Sequence, residues 1–236
     1  MLGTRIVIKR GGKDEAEKPF WISFSDMMTA LMVLFLVVMA VALLSIPKKA
    51  LETEDGNRQH QKKIAEILEK LEQAATRHQG VFVDKERGVI NFGSRAQFEF
   101  GQWQLYPAQE VVLREFVPEI LTLANDDVGK SVLKRVVVEG YTDRKGTYLA
   151  NLNLSLLRSQ RVLCALFANS GANGLTDAQK EAVRRLFFVG GYSFNAVKGS
   201  DEESRRVEMR LEFLALGERR PEPPEGDVTI GECALR

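Results

Sequence analysis

The sequence is short of the residues that build metal centres and disulfide scaffolds. Its 236 residues include two cysteines, Cys164 and Cys233, and two histidines, His60 and His78. No grouping among them supplies three or four ligands at metal-binding spacing, so a zinc site is not expected. Two cysteines are also too few for a disulfide framework. A glycine-rich phosphate loop is missing, as is any Ser–His or Cys–His signature of nucleophilic catalysis. The formal net charge is only +1, which argues against a nucleic-acid footprint. These absences together exclude an ordinary soluble enzyme, and no cofactor is expected.

One long apolar run is present. From Met27 to Ile46 the chain carries twenty residues with only Thr29 and Ser45 as polar interruptions. At about 1.5 Å per residue this reaches about 30 Å, the thickness of a hydrocarbon core. A cleaved signal peptide has a shorter apolar region ending in small residues, whereas this run ends in Leu-Leu-Ser-Ile-Pro-Lys-Lys. An uncleaved membrane anchor is the expectation. Charge does not orient it: Arg5, Lys9, Arg10, Lys13 and Lys18 precede the span, and Lys48, Lys49, Arg58, Lys62 and Lys63 follow it.

A carboxylate, Asp26, stands immediately before the run. At membrane depth it costs a few kcal/mol, and ionisable groups in spans usually face a protein interior or a water path. Asp26 could carry an ion. Alternatively, Ser23, Ser25 and Asp26 could cap a helix whose positive end favours acidic groups. Trp21 is placed as an interfacial anchor. The residues alone leave both readings open.

The stretch Trp21 to Phe35, W-I-S-F-S-D-M-M-T-A-L-M-V-L-F, resembles the transmembrane signature of MotB-like stator proteins. The resemblance implies that Asp26 carries a proton in a channel formed with a multi-helix partner. It implies that Trp21, Phe24, Met27 and Thr29 shape the surroundings. The lack of further polar residues between Thr29 and Ser45 favours protons over sodium.

Beyond the span, Lys48 to Gly80 is polar with one apolar stripe, Ile64, Leu68, Leu71 and Ala75. Such a narrow seam suits a helix pairing with a second copy, or one packed on the domain that follows. That domain begins with alternation around Glu86-Arg87-Gly88, which predicts a short hairpin over Val81–Phe92. A helix is predicted after Pro107, with Val111, Val112, Phe116, Ile120 and Leu123 on its apolar face. Val132–Tyr141 reads as a buried strand, Tyr148–Ala168 as a second helix and Asp177–Leu186 as a short third. Phe187–Ser193 and Arg205–Leu214 read as further strands. Alternating helices and strands indicate a two-layer α/β domain. The Pro- and acid-rich stretch Glu218–Asp227 reads as a poorly ordered tail.

One polar constellation stands out in this domain. Asp143 ends a strand, while Asn151, Ser155 and Arg158 recur at i, i+4 and i+7 on one helical face. Leu149, Leu152, Leu156, Leu163 and Phe167 are expected to occupy the other faces and pack on the sheet. An exposed Asp–Arg pair contributes about 0–1 kcal/mol, too little to explain a whole polar stripe. A ligand bearing both charges explains it better, since an anion suits an ammonium and a planar fork suits a carboxylate.

Thr142-Asp143-Arg144-Lys145-Gly146 followed by Asn151 through Leu154, Ser155 and Arg158 resembles the OmpA-like peptidoglycan-binding motif, over roughly Val89 to Phe213. The resemblance implies that Asp143 holds the ammonium and Arg158 the carboxylate of diaminopimelate, with Thr142, Asn151 and Leu154 beside them. Ser159 departs from the usual alanine and Ser204 from the usual asparagine, so binding roles are not carried onto Arg205 or Arg206.

A wall-binding domain belongs in the periplasm, which places the amino terminus in the cytoplasm of a single-pass inner-membrane protein. In that oxidising compartment Cys164 and Cys233 could pair and fasten the tail to the second helix. The expected organisation is α/β: a tail over 1–22, a transmembrane helix over 23–46, a linker helix over 47–80, an OmpA-like domain over 81–216 and a tail over 217–236. Short tail and compact length resemble the MotB-like component of Zorya anti-phage defence systems. That resemblance implies a homodimer inside a MotA-like ring, ZorA in that system, in a ratio of five to two. The alternatives are a flagellar stator subunit and a structural wall tether without ion conduction.

Overall fold

A computed structural model describes residues 17–169, 174–221, 228–233 and Leu235. The basic residues Arg5, Lys9, Arg10 and Lys13 of the expected tail, and most of the Pro-rich stretch, lie outside the described residues. The chain divides into two compact units, one up to Gly56 and one from Asn57 onward.

The first element, α1, is a helix over Glu17–Ala75. Its segment Ser23–Leu43, 21 residues, is long and apolar enough to cross a membrane. The second unit has the expected mixed α/β architecture. A hairpin of β1 (Phe82–Asp84) and β2 (Val89–Asn91) leads through a short 3-10 turn to α2 (Pro107–Asn125) and α3 (Asp127–Val132). Then come β3 (Leu133–Gly140), α4 (Tyr148–Phe167), α5 (Asp177–Leu186), β4 (Phe187–Gly191), α6 (Asp201–Ser204) and β5 (Val207–Phe213). The five strands form one sheet in the order β1-β2-β5-β3-β4. Only the β3–β4 pair is parallel.

Register decides which side chains meet the helices. Val136 pairs with Leu211 and Val138 with Met209, and all four are buried in the core with Phe116, Ile120, Val162 and Leu166. Their neighbours Arg135 and Glu212, and Glu139 and Glu208, fall on the opposite face because strand side chains alternate. Two facing carboxylates there, Glu139 and Glu208, are fully buried. Arg210 forks onto Glu139 at 2.7 and 3.0 Å, and Arg206 Nε donates to Glu208 at 2.8 Å. Such pairing offsets the cost of burying these charges.

The apolar stripe of the linker is spent within the domain. Leu68, Leu71 and Ala75 are buried with Ile67 and Ala74 in the core, and Ile64 packs against it. Lys70 reaches Asp126 at 3.4 Å and Arg77 reaches Glu119 at 2.9 Å. Of the two readings of this stripe, packing on the following domain is the one observed.

The packing of α4 overturns part of the sequence expectation: Leu163 and Phe167 do pack against the core, but the innermost face belongs to other residues. Asn151, Ser155, Arg158 and Ser159 are buried with Val162, Ala165 and Leu166, whereas Leu149 and Leu156 are exposed and Leu152, Leu163 and Phe167 are only partly covered. Two glycines explain the difference. A Cβ on Gly140 would lie 1.9 Å from the Ser155 carbonyl oxygen, and one on Gly191 would lie 2.7 Å from Ser155 Oγ. The helix therefore approaches the sheet too closely for leucine, and small or hydrogen-bonded polar side chains fill the contact.

Candidate functional site

The helix begins nine positions before Asp26, so Asp26 sits in the helix interior and cannot cap its first turn. The capping reading is therefore discarded. Asp26, Trp21, Phe24, Met27 and Thr29 are all exposed along the apolar segment. Thr29, one turn on from Asp26, donates its hydroxyl to the Ser25 and Asp26 carbonyls at 3.0 and 2.9 Å.

In the second unit, Thr142, Asp143, Asn151, Leu154 and Arg158 line one cavity of about 130 Å³, together with Phe100, Gly101, Lys145, Ala150 and Arg205. Strand β3 delivers Thr142 and Asp143 at its end, and the close approach of α4 brings Asn151 and Arg158 beneath them. All five residues expected from the motif are brought together.

Their roles are unequal. The Arg158 guanidinium is completely buried and lies 5.0 Å from the Phe98 ring centre. It donates to three backbone oxygens: Nε to Gln102 at 2.9 Å, Nη1 to Tyr141 at 2.7 Å and Nη2 to Glu99 at 3.2 Å. Among the described residues no carboxylate forms an ion pair with it. A guanidinium has five donors, so two N–H groups remain for a ligand. Burial pulls its pKa down to about 10, and the nearby Asp143 charge works against that fall. The group stays cationic at neutral pH. Arg158 is thus no surface residue.

Asp143 does not pair with Arg158. Its Oδ2 accepts from Arg205 Nη1 at 3.0 Å, and its Oδ1 accepts from the Lys145 backbone N–H at 3.1 Å. Asn151 donates its amide to the Lys145 and Thr147 carbonyls at 2.9 and 3.1 Å, so it fixes the loop over the cavity. The Thr142 hydroxyl is buried and has no hydrogen-bond partner among the described residues. A buried hydroxyl left unmatched costs about 1–3 kcal/mol.

Five lining residues lie outside the expected set: Phe100, Gly101, Lys145, Ala150 and Arg205, the last set aside in the sequence because Ser204 departs from the usual asparagine. Lys145 pairs with Asp201 at 2.8 Å and lies 5.7 Å from the exposed Phe100 ring. Arg205 also donates to the Phe98 carbonyl at 3.0 Å and pairs with Glu202 at 3.1 Å. Arg205 is the C-cap of α6, ahead of β5, and faces the cavity, whereas Arg206 turns to the far side, 4.3 Å over the Tyr141 ring. The two unusual serines satisfy local backbone. Ser159 donates to the Leu156 carbonyl, and Ser204 accepts from Lys198 N and donates to the Ser200 carbonyl.

Cys164 on α4 and Cys233 in the tail form a disulfide with Cα atoms 5.5 Å apart. Among the described residues no group of three or more metal-ligating side chains occurs.

An apolar helix bearing Asp26 and a helix-on-sheet domain carrying the 142–158 cavity are the two parts of the chain, and the first resembles the membrane segment of MotB-type stator subunits. The family model described as membrane MotB of the proton-channel complex MotA/MotB matches residues 8–51. The Zorya protein ZorB of Escherichia coli O139:H28 is 40% identical over 230 residues, covering 96% of this chain and 94% of that protein. The chain belongs to the ZorB family. Among solved structures, the periplasmic domain of Helicobacter pylori MotB matches 54% of this chain and 83% of its own at 17% identity and a TM-score of 0.38. The OmpA-like domain of FopA1 from Francisella tularensis matches 54% and 75% at 19% identity and a TM-score of 0.36.

Proposed function

We propose that this chain is the ion-carrying, wall-anchored subunit of a proton-driven inner-membrane motor that serves anti-phage defence. The observation that carries the wall-binding half is Arg158, a buried cation that no carboxylate of the described residues pairs, with two N–H groups left for a ligand. A buried charge of this kind is retained when a ligand completes it. The free carboxylate of diaminopimelate in peptidoglycan fits the fork, and its ammonium fits Asp143. Lys145, Leu154 and Phe100 form the mouth.

Asp26 supplies the ion step. In a channel lined by a MotA-like ring of ZorA type, five copies around two of this chain, the carboxylate takes a proton from one side and releases it to the other. Each charge moved through 100 mV makes about 2.3 kcal/mol available to turn the ring. Wall attachment requires the second unit to be periplasmic and the amino terminus cytoplasmic. Trp21, Phe24, Met27 and Thr29 shape the channel around Asp26. Kinship with ZorB, at 40% identity along almost the whole chain, favours defence over a flagellar role.

The test is a sacculus pull-down with detergent-solubilised full-length protein. Wild type should sediment with purified peptidoglycan and Arg158→Lys should do so at least tenfold more weakly. Equal sedimentation of the two would overturn the wall-binding role of this cavity.

A further inference from the structure

The wall-ligand reading makes Asp143 the receptor for an ammonium, yet in the protein that carboxylate is already engaged. Arg205 Nη1 sits 3.0 Å from Asp143 Oδ2, with both side chains almost wholly buried. The guanidinium is held from behind by the Phe98 carbonyl through Nε and by Glu202 through Nη2. It is therefore fixed and does not swing away freely. Burial works against the Arg205 charge, but Asp143 and Glu202 outweigh it and raise the group's pKa.

We infer that Arg205 is a further positioning residue of this site. It fixes the Asp143 carboxylate and shares its charge with the incoming ammonium, so that the ligand's carboxylate on Arg158 becomes the dominant handle. This rests on the wall-ligand reading and adds to it a ranking of the two ligand charges. An ammonium meeting Asp143 finds a carboxylate already half neutralised, whereas a carboxylate meeting Arg158 finds a cation with no ion pair among the described residues. Replacing Arg205 by a neutral residue leaves Asp143 as a buried anion, which makes the ammonium worth more. A lysine at 205 keeps the charge and should keep the ranking.

The test compares two synthetic stem peptides on the full-length protein in detergent, by fluorescence anisotropy. One has the diaminopimelate side-chain ammonium free, and in the other it is acetylated. For wild type and Arg205→Lys, acetylation should weaken binding by no more than about fivefold, and for Arg205→Gln by at least about thirtyfold. Circular dichroism confirms that each variant is folded. An acetylation penalty that is the same in Arg205→Gln and wild type overturns the inference and leaves Arg205 a purely structural residue. Failure of the free peptide to bind wild type overturns the wall-ligand reading itself, and the inference falls with it.

Discussion

Arg158 has no solvent contact, and three backbone carbonyls accept from it. Two effects therefore need to be kept apart when it is changed. Arg158→Ala removes the donor to the Gln102 and Tyr141 oxygens and one of the two donors to the Glu99 oxygen, which should destabilise the domain by about 2–4 kcal/mol. Arg158→Lys keeps the charge and part of the hydrogen bonding but loses the fork. Wall binding should then fall by about 1.5–3 kcal/mol, tenfold or more, while the melting temperature shifts far less than in the alanine variant. Thermal melting alongside sacculus binding checks both statements. A lysine variant that binds like wild type would show that bidentate geometry is irrelevant here. The motif residues were legible in the sequence because spacing along one helix face is local. Arg205 was not, because its partner Asp143 lies 62 positions away and an ion pair leaves no periodic trace.

At the level of elements, helix and strand positions were readable from periodicity, but the buried face of α4 was not. Apolar pattern assigns leucines inward, and only the two glycines facing Ser155 reveal that the contact is too tight for them. Gly140→Ala should therefore cost at least about 2 kcal/mol, since the added methyl meets a backbone carbonyl that cannot retreat without moving α4. Urea denaturation measures it, and a neutral result would mean the helix is free to shift. The linker stripe was legible as a stripe, although nothing local specified that the domain core would cover it.

The outer face of the sheet gives a pH prediction. Burial works to raise the Glu208 pKa, but Arg206, Lys198 and Arg87 prevail and lower it. A depressed carboxylate stabilises the fold above its unfolded value of about 4.3, and that contribution is lost as pH falls through the folded value. Glu208→Gln should be less stable than wild type at pH 7, and the gap should close below about pH 4. A gap that stays constant from pH 7 to pH 3 would contradict this.

At the scale of the whole molecule, the covalent and the functional claims meet in the compartment. The Cys164–Cys233 bond closes a loop of 69 positions in sequence, and such a link stabilises by about 2–4 kcal/mol. Protein isolated from membranes without reductant should show no free thiol by mass spectrometry, and reduction should lower the melting temperature of the domain. Two free thiols would argue against an oxidising location for the second unit.

The central claim is that Asp26 carries the ion that drives a wall-anchored motor. Its most direct test is proton uptake into vesicles containing this chain assembled with its MotA-like partner ring under an imposed membrane potential. Wild-type complexes should acidify the vesicle interior, and Asp26→Asn complexes of equal amount and assembly should not, because asparagine keeps the shape but cannot cycle a proton. Wild-type flux through an assembled Asp26→Asn complex would contradict the ion-carrying role and leave a wall tether.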